Sequence, residues 1–324
     1  MSSIYKYMGP ELVDRFYDSE KESTSIKVSQ LKDYNDPYEF FLTIDYNQKP
    51  QKLAYYKEII SGATERFVSC FSKSPIITPM WAHYATNSTG FVLEFDEAAL
   101  ESWIDENTEN PCCTFNDITY KDSPSQELLD LLDWAYGTQK FRHVAMLRYA
   151  IESTAYFSKQ LCWSYEQERR MLISKSATYK ISDNLNVVNV PAETITAIIA
   201  GASITTENQR KIENFAEAIG CAFYKKTIGK SSTKPFLIDQ FGATHCFTGV
   251  EISNAKLRCE SCKEPIATEK ELCSWCQINE AHEYNAANRN SLRALHTVGL
   301  LGGYMSGFSN IRSKTKNDQG SSEN

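Results

Sequence analysis

The chain has 324 residues, 42% of them hydrophobic and 23% charged, enough for one large domain with an appendage or for two domains. Its net charge is −7, unevenly spread: residues 256–324 carry 9 of the 34 basic and 8 of the 41 acidic groups, leaving 25 and 33 for residues 1–255. That balance argues against the main body as an electrostatic nucleic-acid binder. In chain order, residues 4–8 alternate as a short strand, 10–18 read as a helix start and 24–32 as an extended segment. Residues 33–39 read as a turn, since Asn35 and Asp36 favour local side-chain bonds and Pro37 restricts Asp36. Residues 46–60 have a polar helical pattern, 66–72 form a strand, 80–85 start a helix, and 90–95 and 117–120 are strands. Residues 125–158 are the strongest helical block, with Leu128, Leu129 and Leu132 and then Val144, Leu147 and Ile151 at helical spacing. Residues 166–173 read as a strand leaving a turn. Strands follow at 187–190, 195–200, 221–227 and 235–239, with an amphipathic helix at 205–219. Strands and helices without regular βαβ alternation indicate an α+β fold. Gly201 alone, ahead of a helix, is no nucleotide fingerprint.

Residues 1–7 lack the regions of a secretory signal, and no apolar run approaches the roughly 20 residues of a membrane span. Six of the ten cysteines, Cys70, Cys112, Cys113, Cys162, Cys221 and Cys246, are scattered, a pattern suited to a reducing cytoplasm rather than to a disulfide framework. The other four form two Cys-x2-Cys pairs, Cys259/Cys262 and Cys273/Cys276, separated by ten residues that include Pro265. Two such pairs on a short hairpin can present four thiolates to one Zn2+ ion, and four thiolates leave no open position, so the zinc is expected to be structural. His282 is a weaker substitute ligand. Between residues 285 and 316 lie Arg289, Arg293, Arg312, Lys314 and Lys316 with no acid, a stretch able to touch a phosphate backbone or simply to be solvated. Expected domains are residues 1–253, a zinc knuckle at 254–284, and a basic, partly disordered tail at 285–324.

Three segments of the main body are rich in polar groups for their apolar settings. They are Tyr5-Lys6-Tyr7 with Asn35-Asp36-Pro37-Tyr38-Glu39; Ser69-Cys70-Phe71-Ser72 through Met80-Trp81-Ala82-His83-Tyr84-Ala85; and Trp163-Ser164-Tyr165-Glu166-Gln167-Glu168-Arg169. Over roughly residues 4–245 these motifs, in this order, resemble a widespread bacterial family, the domain of unknown function 2971. In the last motif Arg169 directly follows Glu168, and Arg170 takes the arginine's usual place. The order of parts is in turn similar to the ADP-ribosyltransferase fold: a mixed sheet with flanking helices, an early strand for the dinucleotide, a Ser strand, an aromatic-bearing helix and a late Glu-x-Glu strand. That resemblance implies NAD as substrate, with Glu168 on the ribose and Glu166 on the acceptor as catalytic residues. It also implies Tyr5, Lys6, Tyr7, Ser69, His83, Tyr84 and Arg169 as dinucleotide-binding residues, with Tyr84 stacking on nicotinamide. The acceptor would be nucleic acid or protein, and the activity that of a toxin or phage-defence effector with a cognate antitoxin.

The chemistry is consistent: cleaving the nicotinamide–ribose bond builds positive charge on the sugar, which a fixed carboxylate stabilises. On one strand Glu166 and Glu168 would share a face about 6.5–7 Å apart. The residues also admit plainer readings, with the two glutamates ion-paired to Arg169, Arg170 or a lysine on a solvated face, His83 structural, and Trp81 and Trp163 in the core. Two other functions stay open: a metal-dependent nuclease or hydrolase built on Asp36, Glu39, His83, Glu166 and Glu168, and a non-enzymatic zinc-containing module that binds nucleic acid or protein.

Overall fold

The computed structural model describes residues 2–30, 43–61, 66–108, 113–183 and 185–307. The turn expected at 33–39, Cys112 and the basic residues beyond 307 lie outside them. The chain divides into two compact units, Met1–Lys256 and Leu257–Asn324.

The strands are β1 (Ser3–Met8), β2 (Tyr17–Asp18), β3 (Ser23–Val28), β4 (Phe67–Ser72), β5 (Phe91–Asp96), β6 (Thr114–Asp117), β7 (Thr119–Tyr120), β8 (Ser158–Lys159), β9 (Glu168–Ile173), β10 (Tyr179–Ser182), β11 (Leu185–Pro191), β12 (Ile195–Ala200), β13 (Ala222–Thr227), β14 (Phe236–Asp239), β15 (Thr244–Phe247) and β16 (Ile252–Asn254). The helices are α1 (Pro50–Ser61), α2 (Thr78–His83), α3 (Glu97–Glu106), α4 (Gln126–Thr138), α5 (Phe141–Phe157), α6 (Thr206–Ile219), α7 (Glu280–Arg289) and α8 (Ser291–Thr297). Residues 301–307 are also helical. Among the described residues no helix is long and apolar enough to cross a membrane.

The first unit is α+β. Ten strands form one mixed sheet in the order β16-β15-β14-β13-β12-β5-β1-β4-β9-β6, and a second sheet runs β10-β11-β3-β2. Among the described residues of the large sheet only β12 and β13 run parallel, joined through α6. That helix forms because Thr205 caps its first turn by accepting from the Asn208 amide, while Gly220, at φ 72°, ends it in a left-handed turn. The helical block at 125–158 is two helices rather than one. Gln139 adopts φ 54°, a left-handed conformation that ends α4 before α5 begins. The helix start at 10–18 is a single 3-10 turn, Pro10–Leu12.

One face of the large sheet packs Ile4, Phe71, Leu93, Phe95 and Met171 against Ile26, Val28, Val188 and Val190 of the second sheet and Leu100 and Ile104 of α3. The other face carries Tyr5, Tyr7, Val92 and Ile199 beneath Trp81 of α2. The sheet is not uniformly zipped. β1 and β5 pair from Ser3↔Asp96 to Met8↔Phe91, whereas β1 and β4 meet at a single register pair, Tyr5↔Ser72. That seam positions everything described below.

Where the ends of β1, β5 and β12 converge, two glycines let backbones touch. A Cβ on Gly90 would lie 2.0 Å from the Met8 carbonyl oxygen, and one on Gly201 2.1 Å from that of Ser88. Both obstacles are main chain, so no rotamer change relieves them. Gly201→Ala is therefore expected to lower unfolding free energy by about 1–3 kcal/mol, read from chemical denaturation. An unchanged midpoint would show that this junction is not close-packed.

Candidate functional site

Alternation along β9 turns Glu168, Arg170 and Leu172 to the face that carries Cys70 and Ser72 of β4, because Ser72↔Glu168 and Cys70↔Arg170 are register pairs. Arg169 and Met171 turn to the opposite face. The strand does not begin at Glu166, as its sequence suggests. Leu161–Glu166 is a 3-10 turn, and Gln167 at φ 47° reverses the chain into β9. Ser72 fastens this turn by donating to the Glu166 carbonyl at 2.7 Å. The two glutamates therefore reach the same place from a turn and a strand, not as neighbours on one strand face.

What brings them together is Lys159, from β8. Its Nζ donates to Glu166 Oε2 at 2.7 Å and to Glu168 Oε2 at 3.3 Å, and lies 4.9 Å from the centre of the Trp163 ring. Glu168 Oε1 accepts from Arg170 Nε at 2.7 Å, and Arg170 also donates to the Tyr156 carbonyl. Glu166 Oε1 accepts from the Tyr84 hydroxyl at 2.6 Å. All four charged groups are nearly inaccessible: Glu166 and Glu168 are 3% exposed, Lys159 6% and Arg170 0%. Burial alone would raise the Glu168 pKa, but the charges of Arg170 and Lys159 outweigh it and hold the carboxyl at about 2. Burial likewise works to lower the Lys159 pKa, and the Glu168 and Glu166 charges carry it above the ordinary lysine range. Cys70, beside Glu168, is pushed up to about 12 by burial and that carboxylate, so it is a thiol.

The cluster lines a cavity of about 330 Å³ at the β1–β4 seam. Of the residues singled out from sequence, Tyr5, Lys6, Tyr7, Tyr84, Glu166 and Glu168 all face it. Ser69 lies just behind, its hydroxyl accepting from Lys6 Nζ at 2.8 Å. Tyr5 and Tyr7 are fixed walls, their hydroxyls donating to Glu94 and to the Ser74 carbonyl. Two candidates do not join them. Arg169 is bound on the far face by Glu97 and Asp117, and His83 is exposed and bonded to the Tyr165 hydroxyl. Asn35, Asp36, Pro37, Tyr38 and Glu39 lie outside the described residues. From sequence Arg170 is the motif's arginine and an ion-pair partner for the glutamates, and the structure bears out that pairing but buries it; Lys159 is not singled out. The i, i+2 spacing from Glu168 signals that Arg170 shares its face, but no local pattern distinguishes Lys159 from a surface lysine.

In the second unit the four cysteines converge, their sulfurs all within 4.8 Å of one another and Cys262 Sγ 3.8 Å from Cys273 Sγ. Tetrahedral zinc thiolate implies sulfur edges of about 3.8 Å, so this donor set fits a structural ion. The first knuckle closes by Cys259 N donating to the Glu264 carbonyl, with Lys263 left-handed at φ 61°; in the second, the Cys276 amide points at Cys273 Sγ. His282 instead accepts from the Asn279 amide to cap α7.

Residues 80–171 match a protein-family model described as Protein of unknown function (DUF2971). The matched stretch contains Tyr84, Lys159, Glu166, Glu168 and Arg170, and neither Tyr5–Tyr7 nor the four clustered cysteines of the second unit. No curated protein and no solved structure matches the chain.

Two outcomes are expected. Glu168 has a depressed folded-state pKa, so its contribution to stability is complete above about pH 5 and is lost as pH falls through 4.5 toward about 2. Glu168→Gln should thus be about 3–5 kcal/mol less stable than wild type at pH 7, with the gap closing at low pH in urea denaturation. A pH-independent gap would contradict the ion pairing. For the cysteines, α7 and α8 bury no residue, so little but the metal would hold this unit together. Cys273→Ser should lose stoichiometric zinc by elemental analysis and gain rapid amide exchange across residues 257–297, while residues 66–108 keep their protection.

Proposed function

We propose that the chain transfers ADP-ribose from NAD to a macromolecular acceptor. The observation that carries this reading is the convergence of Tyr84, Glu166 and Glu168 with Tyr5, Lys6 and Tyr7 on one cavity at an incompletely paired seam of the sheet. The nicotinamide ring would lie against Tyr84. The C–N bond to the ribose breaks, nicotinamide leaves with the electron pair, and positive charge develops at C1′. Glu168, held ionised by Arg170 and Lys159, stabilises that charge and binds a ribose hydroxyl. The acceptor atom bonds to C1′, and its proton passes to Glu166. Tyr84 and Lys159 aim the two carboxylates, which costs nothing at the moment of reaction because the geometry pre-exists.

Nucleic acid is favoured over protein as acceptor, because Arg289 and Arg293 accompany the four-cysteine unit, itself a common scaffold for contacting phosphate backbones. An enzyme of this kind directed at its own cell would serve as a toxin or phage-defence effector and would be checked by a cognate antitoxin. A metal-dependent hydrolase is less well supported. Its carboxylates would need to face a divalent cation, and Glu166 and Glu168 already face Lys159, Arg170 and Tyr84.

The test uses NAD labelled on the adenylate phosphate with RNA, DNA or cell protein. Wild type should transfer label and release nicotinamide in equal amounts. Glu166→Gln, which leaves Glu168 to pair with Lys159 and Arg170, should lose about 100-fold or more in transfer while retaining more of the release to water. Absence of nicotinamide release from the wild type with every acceptor overturns the proposal.

A further inference from the structure

Among the described residues, the charges that line the cavity do not balance. Its lining holds three lysines, Lys6, Lys27 and Lys159, against two glutamates. Arg170 and Lys159 together neutralise Glu168 and Glu166, which leaves Lys6 and Lys27 without a paired carboxylate among the described residues. They are also connected. Lys6 Nζ crosses the β1–β4 seam to donate to Ser69 Oγ and to the Cys70 carbonyl, both at 2.8 Å, and Ser69 Oγ in turn donates to the Lys27 carbonyl at 2.9 Å. Two of the three Lys6 donors are thereby fixed, and one remains. No carboxylate lies within ion-pair distance of either lysine among the described residues; Lys6 binds a hydroxyl and a carbonyl, which solvate but do not neutralise it. Burial lowers the Lys6 pKa against the opposing charge of Glu168, and Lys27 adds a smaller lowering of its own. Like charges set together cost free energy that a bound anion recovers.

We propose that Lys6 and Lys27 form a diphosphate-binding subsite of this cavity, with Lys6 as the half-buried, pre-aimed donor and Lys27 as the exposed charge at its mouth. In naming a nucleoside diphosphate as the ligand, the proposal rests on the dinucleotide reading above; the anion site itself does not. Ser29, two residues past Lys27, also lines the cavity and adds a hydroxyl beside the charge, whereas Ser25, likewise on the lining, already donates its hydroxyl to Asn189 Oδ1 at 2.8 Å. An ammonium on a flexible stem meets phosphate as a point charge, so arginine should serve in place of Lys27.

The experiment is calorimetric titration of the full chain with ADP, inorganic pyrophosphate, adenosine and a short single-stranded oligonucleotide. Wild type should bind ADP and pyrophosphate, more weakly as salt rises, and adenosine far less well. Lys27→Ala, an exposed change, should weaken ADP and pyrophosphate about ten- to hundredfold, and Lys27→Arg should restore them. Lys6→Met should abolish pyrophosphate binding, and its thermal unfolding is measured alongside so that loss of fold is recognised; Lys27→Ala carries the test if it misfolds. No pyrophosphate binding by the wild type, equal affinity in Lys27→Ala, or binding of the oligonucleotide in preference to ADP overturns the subsite. Lysine-dependent ADP binding without nicotinamide release would instead remove the proposed reaction and leave the subsite standing.

Discussion

The structure around the seam depends on one constraint: a charge on the inward face of β9 must be neutralised where it stands. Glu168 and Arg170 share that face because they are two residues apart on a strand, and both are sealed from water. An unpaired buried charge costs several kcal/mol, so the neighbouring chain is organised to answer them. The end of α5 supplies the Tyr156 carbonyl and, through β8, the Lys159 ammonium; the 3-10 turn brings Glu166; α2 ends so that Tyr84 can close the set. Apolar residues of the same volume would stabilise such a region as well or better. Stability alone therefore does not account for charges retained at a cavity wall.

The second constraint is the incomplete zipping of β1 to β4. A full ladder would bury the strand edges against each other and close the space between them. With one register pair, Tyr5↔Ser72, the seam is spanned instead by the Lys6 side chain, which binds Ser69 and the Cys70 carbonyl across it. The same gap that needs a lysine to satisfy its polar groups also creates the cavity, so opening and electropositive lining share one origin. The four-cysteine unit follows a different logic. With almost no apolar core, its order rests on the convergence of its sulfurs, and a closed thiolate set has no free position for chemistry.

Much of the fold was legible because local signals agreed with it. The Thr205 cap, the Gly220 stop and the 3.6-residue pattern between them locate α6, and the strands at 90–95 and 195–200 follow from their apolar runs. Misreadings concentrate where single residues take left-handed backbone. Gln139 splits one helical block into α4 and α5, and Gln167 separates Glu166 from the strand that carries Glu168. Glutamine rarely adopts that conformation unless tertiary contacts hold it, so no sequence pattern announces it. The arginine of the last motif was likewise ambiguous by one position, and one position on a strand is a whole face: Arg169 pairs with Glu97 outside the cavity, Arg170 with Glu168 beside it.

By itself the sequence determined the α+β class, the four thiolates and their spacing, and the short list of aromatic and acidic residues from which a site could be built. These are local properties: periodicity, turn chemistry and ligand identity reside within a few consecutive residues. Only the tertiary structure decided that Lys159 bridges the two glutamates, that Arg169 and His83 stand apart, and that Ser69 ties the Lys6 ammonium to the Lys27 carbonyl. Those relations join residues up to 82 positions apart, and they are set by strand register and by the need to compensate buried charge, neither of which is written in any single segment.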